Sequence, residues 1–353
     1  MTIYLSVFCR LMIIGVTLMI VGCSTVGYYA QSIHGQWDIL FRSRPIDEVI
    51  REPSTPDMVK RKLSQVLEIR RFASEVLKLP DNGSYTRYAD VGQRYVVWNV
   101  FAAPEYSLTP KKWCFPIVGC VVYRGYFHLK DAQLYAEKLK AQGYDVFVGG
   151  VPAYSTLGWF ADPMLNTVMH YPDDDLAGLV FHELAHQLIY VKNDSVFNES
   201  FATAVELEGL KRWVQSQNDE LRIRAYRERK NRDRQVIELI LEYKQKLSRI
   251  YASEKESAWK KAQKRTAIAE LREEFNSLVA TWHDYNRFRD WFSGPINNAK
   301  LVAVSAYHDL VPTFEALLER HRGNLDNFYS EIKQLAKLKK RKRAARLNQI
   351  YNP

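Results

Sequence analysis

Apolar residues recur along this chain in a few distinct rhythms, and each rhythm predicts an element. The run Leu176 to Tyr190 is almost unbroken and too long for one strand, so it predicts a buried helix. Asp173, Asp174 and Asp175, after Pro172, supply its N-cap and first-turn carboxylates. Asn193-Asp194-Ser195 offers turn and cap chemistry for a second helix, starting near Asp194 or Ser195 and running towards Trp213. Farther on, Val236, Ile240, Tyr243, Leu247 and Ile250 step by four and three, as do Ile268, Leu271, Phe275, Leu278 and Trp282. With the charged stretch Ala252 to Lys264 between them, the simplest packing is an antiparallel pair of long helices. That pair reads most simply as scaffold; it could also cap a cleft or project as a partner-binding arm.

Strand patterns are confined to the middle of the chain. Tyr95 to Val100 and Val121 to Phe127 are β-branched and aromatic, and Val146 to Tyr154 alternates around Gly149-Gly150, which predicts a strand with a glycine interruption. Asp131 to Gln142 returns to helix between them. The front portion, Cys23 to about Lys78, reads as largely helical, broken by Pro45, Pro53 and Pro56. The fold class expected is α+β, with mostly helical surroundings and a long C-terminal helical hairpin.

The helix from Leu176 changes the picture, because it contains His182-Glu183-Leu184-Ala185-His186. Two histidines one helical turn apart point the same way and can close on one zinc ion, with the intervening glutamate facing its water. A tetrahedral catalytic zinc takes three protein ligands and keeps a position open. On the second helix Glu199 fits the third-ligand role best, and Glu206, on the same stripe, is the expected outer partner. As ordinary core histidines, His182 and His186 would be polar groups buried in an apolar helix, which without partners costs several kcal/mol.

Asn198-Glu199-Ser200-Phe201-Ala202 resembles the NEGFA string of gluzincin aminopeptidases, whose glutamate is the third zinc ligand, and the resemblance gives Glu199 that role. The chain departs from those enzymes in its shorter gap, twelve residues between His186 and Glu199, and it lacks their GxMEN exopeptidase string. Gly27-Tyr28-Tyr29, the segment Ala153 to Pro163, HELAHQ, NESFATAVE and Asn297 to Leu301 together carry a closer resemblance, over nearly all the chain. It is to a family of bacterial lipoproteins described as aminopeptidases on the strength of their motif. This resemblance implies a zincin-like metallopeptidase core, one zinc ion, and a peptide or protein substrate that it does not specify.

The mechanism expected follows from zinc chemistry. Three protein ligands leave a bound water with a pKa of about 7, and Glu183 takes its proton and returns it to the leaving amine. The developing oxyanion needs a second donor, for which Tyr307 is the candidate. Its competing reading is packing, as one of 21 Tyr. An edge strand before the zinc helix can pair with an extended peptide, and Tyr154 to Asp162 would then line the cleft. Asp162 is a candidate partner for a substrate ammonium, or a turn residue before Pro163.

The amino end bears on location. After Arg10 comes the apolar run Leu11 to Val21, then Gly22 and Cys23: a short hydrophobic region, too short for a confident transmembrane helix. Ile20-Val21-Gly22-Cys23 resembles a lipobox, which implies a signal peptide over 1–22, lipid attachment to Cys23 and a membrane-anchored mature chain. Ser24 and Thr25 supply no acidic retention signal, which favours the outer membrane facing the periplasm; a simple amino-terminal anchor is the other reading. Cys114 and Cys120 flank a Pro and a Gly, and in an oxidising compartment they either close a disulfide or remain two buried thiols.

The chain has 353 residues, 47% of them hydrophobic, enough for a substantial core in one large or two small domains. Its net charge of +10 and the dense basic cluster Lys337 to Arg346 invite a nucleic-acid reading. An exported lipoprotein meets little nucleic acid, so the tail reads as a solvated helical end or a contact for anionic lipid. The organisation expected is a peptidase core over 23–215, a helical region over 216–336 packing on or over the cleft, and a basic tail over 337–353. The function expected is a membrane-anchored zinc aminopeptidase. An envelope endopeptidase, or a non-enzymatic zinc-containing assembly protein, is the alternative.

Overall fold

The computed structural model describes residues 27–351 apart from 116–118, 154 and 283–287. The lipobox-like segment with Cys23, and Tyr154, lie outside the described residues. Helix α1 (27–42) leads to β1 (Arg44–Pro45), α2 (Ile46–Arg51) and α3 (Asp57–Glu75), then β2 (Arg87–Ala89), β3 (Val97–Pro104), β4 (Trp113–Phe115), β5 (Gly119–Val121) and β6 (Tyr123–Tyr126). Helix α4 (Leu129–Ala141), β7 (Tyr144–Val151) and β8 (Met164–Leu165) complete the strand-bearing part. The remainder is helical: α5 (Asp173–Leu188), α6 (Ser195–Ser216), α7 (Glu220–Ala252), α8 (Ser257–Ala280), α9 (Arg289–Ser293), α10 (Asn298–His308), α11 (Val311–Arg320), α12 (Leu325–Lys337) and α13 (Lys340–Tyr351). This is a predominantly helical α+β fold. Among the described residues no helix is long and apolar enough to cross a membrane.

Two of the prolines expected to break the front helices also start them, since Pro45 and Pro56 occupy the N-cap positions of α2 and α3. The main sheet is antiparallel with order β6-β3-β7, so β7 is an edge strand. The interruption expected at Gly149-Gly150 is absent: both pair in register, with Asn99 and Trp98. Close packing explains the second glycine, because a Cβ at Gly150 would lie 2.4 Å from the Tyr95 ring. The run from Val121 to Phe127 is divided between β5, paired with β4, and β6, paired with β3. Cys114 faces Cys120 across the β4–β5 hairpin, and the two are joined in a disulfide.

The principal core lies where α3, α5 and α6 meet α11, α12 and α13. Leu63, Val66, Phe181, Phe197 and Phe201 pack there with Phe314, Phe328, Ile332, Leu347 and Ile350. The helical hairpin of α7 and α8 has its own core, in which Val236, Ile240, Tyr243 and Leu247 meet Ala267, Leu271 and Phe275. Most of the charged stretch expected to join the two helices is itself helical, since α8 begins at Ser257. The basic tail is not a solvated end. In α13 the residues Arg343, Leu347 and Ile350 are buried while their charged neighbours face outwards, so the helix is amphipathic and contributes to the core.

Candidate metal centre and cleft

Helices α5 and α6 form the site between them. They approach closely at Gly178, one turn before His182, where a Cβ would lie 3.0 Å from Leu210 and 3.2 Å from Glu206 Oε1. The short connection is clasped by Asn198, which is 1% exposed. Its side-chain oxygen accepts from Val191 N (2.8 Å), and its amide donates to Val191 O (2.9 Å). Asp194, at the N-cap position of α6, does not cap the helix with its side chain. Its carboxylate is held instead by Arg343, at 2.6 Å, and by Lys340, at 3.1 Å. The connection is braced once more where the Cys120 N–H donates to Asn193 Oδ1 at 2.7 Å.

This bracing brings His182, His186 and Glu199 together in a cluster able to hold a metal ion. The two Nε2 atoms are 3.2 Å apart, and Glu199 Oε2 lies 3.5 Å from the first and 3.4 Å from the second. Ligands of a tetrahedral zinc at 2.0–2.1 Å are about 3.3 Å from one another, so the triangle has the right edge. Imidazole nitrogen and carboxylate oxygen are also a common zinc donor set. Behind the cluster, Glu206 Oε2 is 3.2 Å from His182 Nδ1, the arrangement that orients a ligating imidazole from behind.

The electrostatics favour a cation at the cluster. Burial works against a charged His182 ring, yet hydrogen bonds to Glu199 and Glu206 carry its pKa up to about 10. Burial likewise opposes ionisation of Glu199, but the charge of His186 and hydrogen bonds from both histidines pull it down to about 2. Glu183, 8% exposed, has its carboxyl pushed up by burial. It lines, with His182, a cavity of about 1160 Å³.

The cavity is also lined by Val151 to Ala153 from the end of the edge strand β7, by Tyr226, Lys230 and Arg234 of α7, and by Tyr307 of α10. The α7 wall is tied to the first turn of α5, where Arg222 contacts Asp174 at 2.5 Å. The hairpin therefore combines a scaffold core with one wall of the cleft. Tyr307 stacks against His182, with ring centroids 6.1 Å apart. The negative charge of Glu199, followed by burial, raises its pKa well above the usual phenol value, so it remains a hydrogen-bond donor.

Asp162 is 3% exposed and committed to its own loop. Its carboxylate accepts from Thr156 N (2.9 Å), Thr156 Oγ1 (2.7 Å) and Ser155 Oγ (3.3 Å), and from Gln187 Nε2 at 3.4 Å. That geometry is the turn-organising one, with a link to the metal helix through Gln187. Asn297 and Asn298 act in the framework. Asn297 caps α10 and donates to Val146 O, while buried Asn298 donates to Pro104 O and Glu105 O. They lock α10, and with it Tyr307, onto the sheet.

Sequence reasoning missed two further tyrosines. Burial raises Tyr123 of β6 well above the usual phenol range and Tyr190 to about 12, with the Glu199 charge the next cause for both. Only the sheet pairing of β6 and the turn after α5 bring them near Glu199, so no local signal separates them from the chain's other tyrosines. The clasp by Asn198 had a signal, its place beside Glu199, but a sequence does not say which backbone it would hold.

Neither a curated protein nor a solved structure matches this chain. A family model described as "Putative aminopeptidase" matches residues 27–347, which include every described helix of the site. With a histidine, histidine and glutamate cluster able to hold a metal at its centre, and a family match over most of its length, the chain belongs to this aminopeptidase family.

Proposed function

We propose that this protein is a membrane-anchored, zinc-dependent aminopeptidase. The observation that carries the reading is the triangle of His182, His186 and Glu199, whose His182 lines one large cavity together with Glu183. His182, His186 and Glu199 would hold the ion, with Glu206 orienting His182. When bound, zinc supplies Lewis acidity towards the scissile carbonyl and makes a water acidic enough to react near neutral pH. Glu183 takes the proton of the attacking water and delivers it to the leaving amine. Tyr307 donates a hydrogen bond to the carbonyl oxygen as negative charge builds on it. The end of β7 offers an edge for an extended peptide.

The lipobox-like sequence at Cys23 supports anchoring in a cell envelope, with the catalytic part facing the periplasm. The Cys114–Cys120 disulfide fits such an oxidising compartment. An endopeptidase is the second reading, favoured by the size of the cavity, about 1160 Å³, and by the absence of the GxMEN exopeptidase string.

Metal analysis tests the centre itself. The purified chain is expected to carry one zinc, and His186→Ala and Glu199→Ala are each expected to lose most of it at micromolar free zinc while remaining folded by circular dichroism. Full retention of zinc in both variants would place the ion elsewhere.

A further inference from the structure

Helix α1 is apolar on the wrong side. Its inner face is well packed: Tyr28 stacks on Phe115, Ile39 is 3% exposed, and Gly35 lies against the Phe127 ring. Its outer face carries Ala30, Ile33, Trp37 and Phe41 at helical spacing, all exposed to solvent. Ile33 is 58%, Trp37 50% and Phe41 81% exposed, and the last two rings stack on each other at 5.6 Å. A surface helix normally turns polar residues outwards, and a contiguous exposed apolar stripe marks a contact surface.

What covers the stripe follows from what precedes it. Cys23 lies four residues, and the end of the apolar run Leu11 to Val21 six residues, before Gly27, which opens the helix. Four to six residues reach about 14–21 Å at full extension. A lipid on Cys23, or a retained apolar anchor, would equally keep the first turn of α1 within that distance of a bilayer. Tryptophan and phenylalanine on one face of an amphipathic helix are suited to the boundary between head groups and acyl chains.

We propose that α1 is an interfacial helix, with Ile33, Trp37 and Phe41 lying in the head-group region of the membrane that anchors the chain. The proposal rests on the membrane-anchored reading above and adds an orientation to it. The anchor then does more than tether the protein: it lays one face of the molecule on the lipid surface.

The test uses the chain from Ser24 onwards, which has every described residue and no anchor. An environment-sensitive fluorophore is attached through Ile33→Cys in one sample and through Trp159→Cys, another exposed site, in a second. Both are titrated with phosphatidylethanolamine–phosphatidylglycerol vesicles. The label at position 33 is expected to shift to the blue and brighten several-fold, and the label at position 159 to stay unchanged. Adding Trp37→Ser and Phe41→Ser is expected to weaken partitioning at least tenfold with no change in thermal midpoint, since both side chains are exposed. No shift at position 33 at any lipid concentration, or an equal shift at position 159, would overturn the proposal. So would a lipid-free dimer that the double substitution breaks, which would give the stripe to a second copy. The anchor is read separately, by mass spectrometry of the mature amino end.

Discussion

Replacing Glu183 by glutamine is expected to leave one zinc bound per chain and to lower kcat for peptide hydrolysis by about 10²–10⁴-fold, the usual contribution of a positioned general base. The substitution keeps the shape of the side chain and removes only its capacity to take a proton. Glu183 is not among the clustered donor atoms, which belong to His182, His186 and Glu199. It lines the cavity beside His182, from the adjacent position on α5. Metal content and fold should therefore survive, and KM should move far less than kcat. Loss of zinc together with activity would mean that Glu183 acts on the metal site. An unchanged rate would remove it from the chemistry.

The largest effect on stability is expected at the far end of the chain. The Arg343 guanidinium, 3% exposed, donates to Asp194 at 2.6 and 3.1 Å and to Leu338 O at 2.7 Å, and it lies 5.1 Å from the Phe197 ring centre. Arg343→Ala would leave the Asp194 carboxylate buried with only Lys340 beside it. Removing one partner of a buried pair costs about 3–5 kcal/mol, a large part of the stability of an ordinary domain. Arg343→Lys should recover only part of this, because an ammonium cannot hold the carboxylate and the carbonyl in one plane. Because Asp194 precedes the helix that carries Glu199, the destabilised chain should also bind zinc more weakly. Denaturant unfolding with and without zinc measures both effects. An unaltered midpoint would mean that the Arg343–Asp194 pair adds nothing to stability.

The contrast between these two residues shows what local pattern could convey. The spacing of His182 and His186 is a property of one helix, and Glu199 and Glu206 of the next, so their clustering followed once both helices were recognised. The α7–α8 pair was legible for the same reason, since its apolar steps repeat over many turns. Arg343 was hidden by its neighbours: in a run of basic residues a single inward-facing arginine has no local mark, and the buried partner is Asp194, far away in sequence. The apolar positions Leu347 and Ile350 were the available sign that this segment packs. Glycine carried two meanings as well. At Gly150 it makes room for the Tyr95 ring within a continuous strand, where a break was expected. Tyr123 reaches the Glu199 neighbourhood through strand pairing alone, which no helical or alternating period encodes.

The activity proposed for the His182, His186 and Glu199 centre is hydrolysis of peptides from their free amino ends. It is tested most directly by incubating the zinc-loaded chain with matched peptide pools, one with free amino ends and one N-acetylated, and reading the products by mass spectrometry. Stepwise loss of residues from the free pool alone is the predicted result. Internal cuts in both pools would contradict the aminopeptidase assignment and leave an endopeptidase, whereas no cleavage in either pool by a chain holding its zinc would contradict the hydrolytic reading.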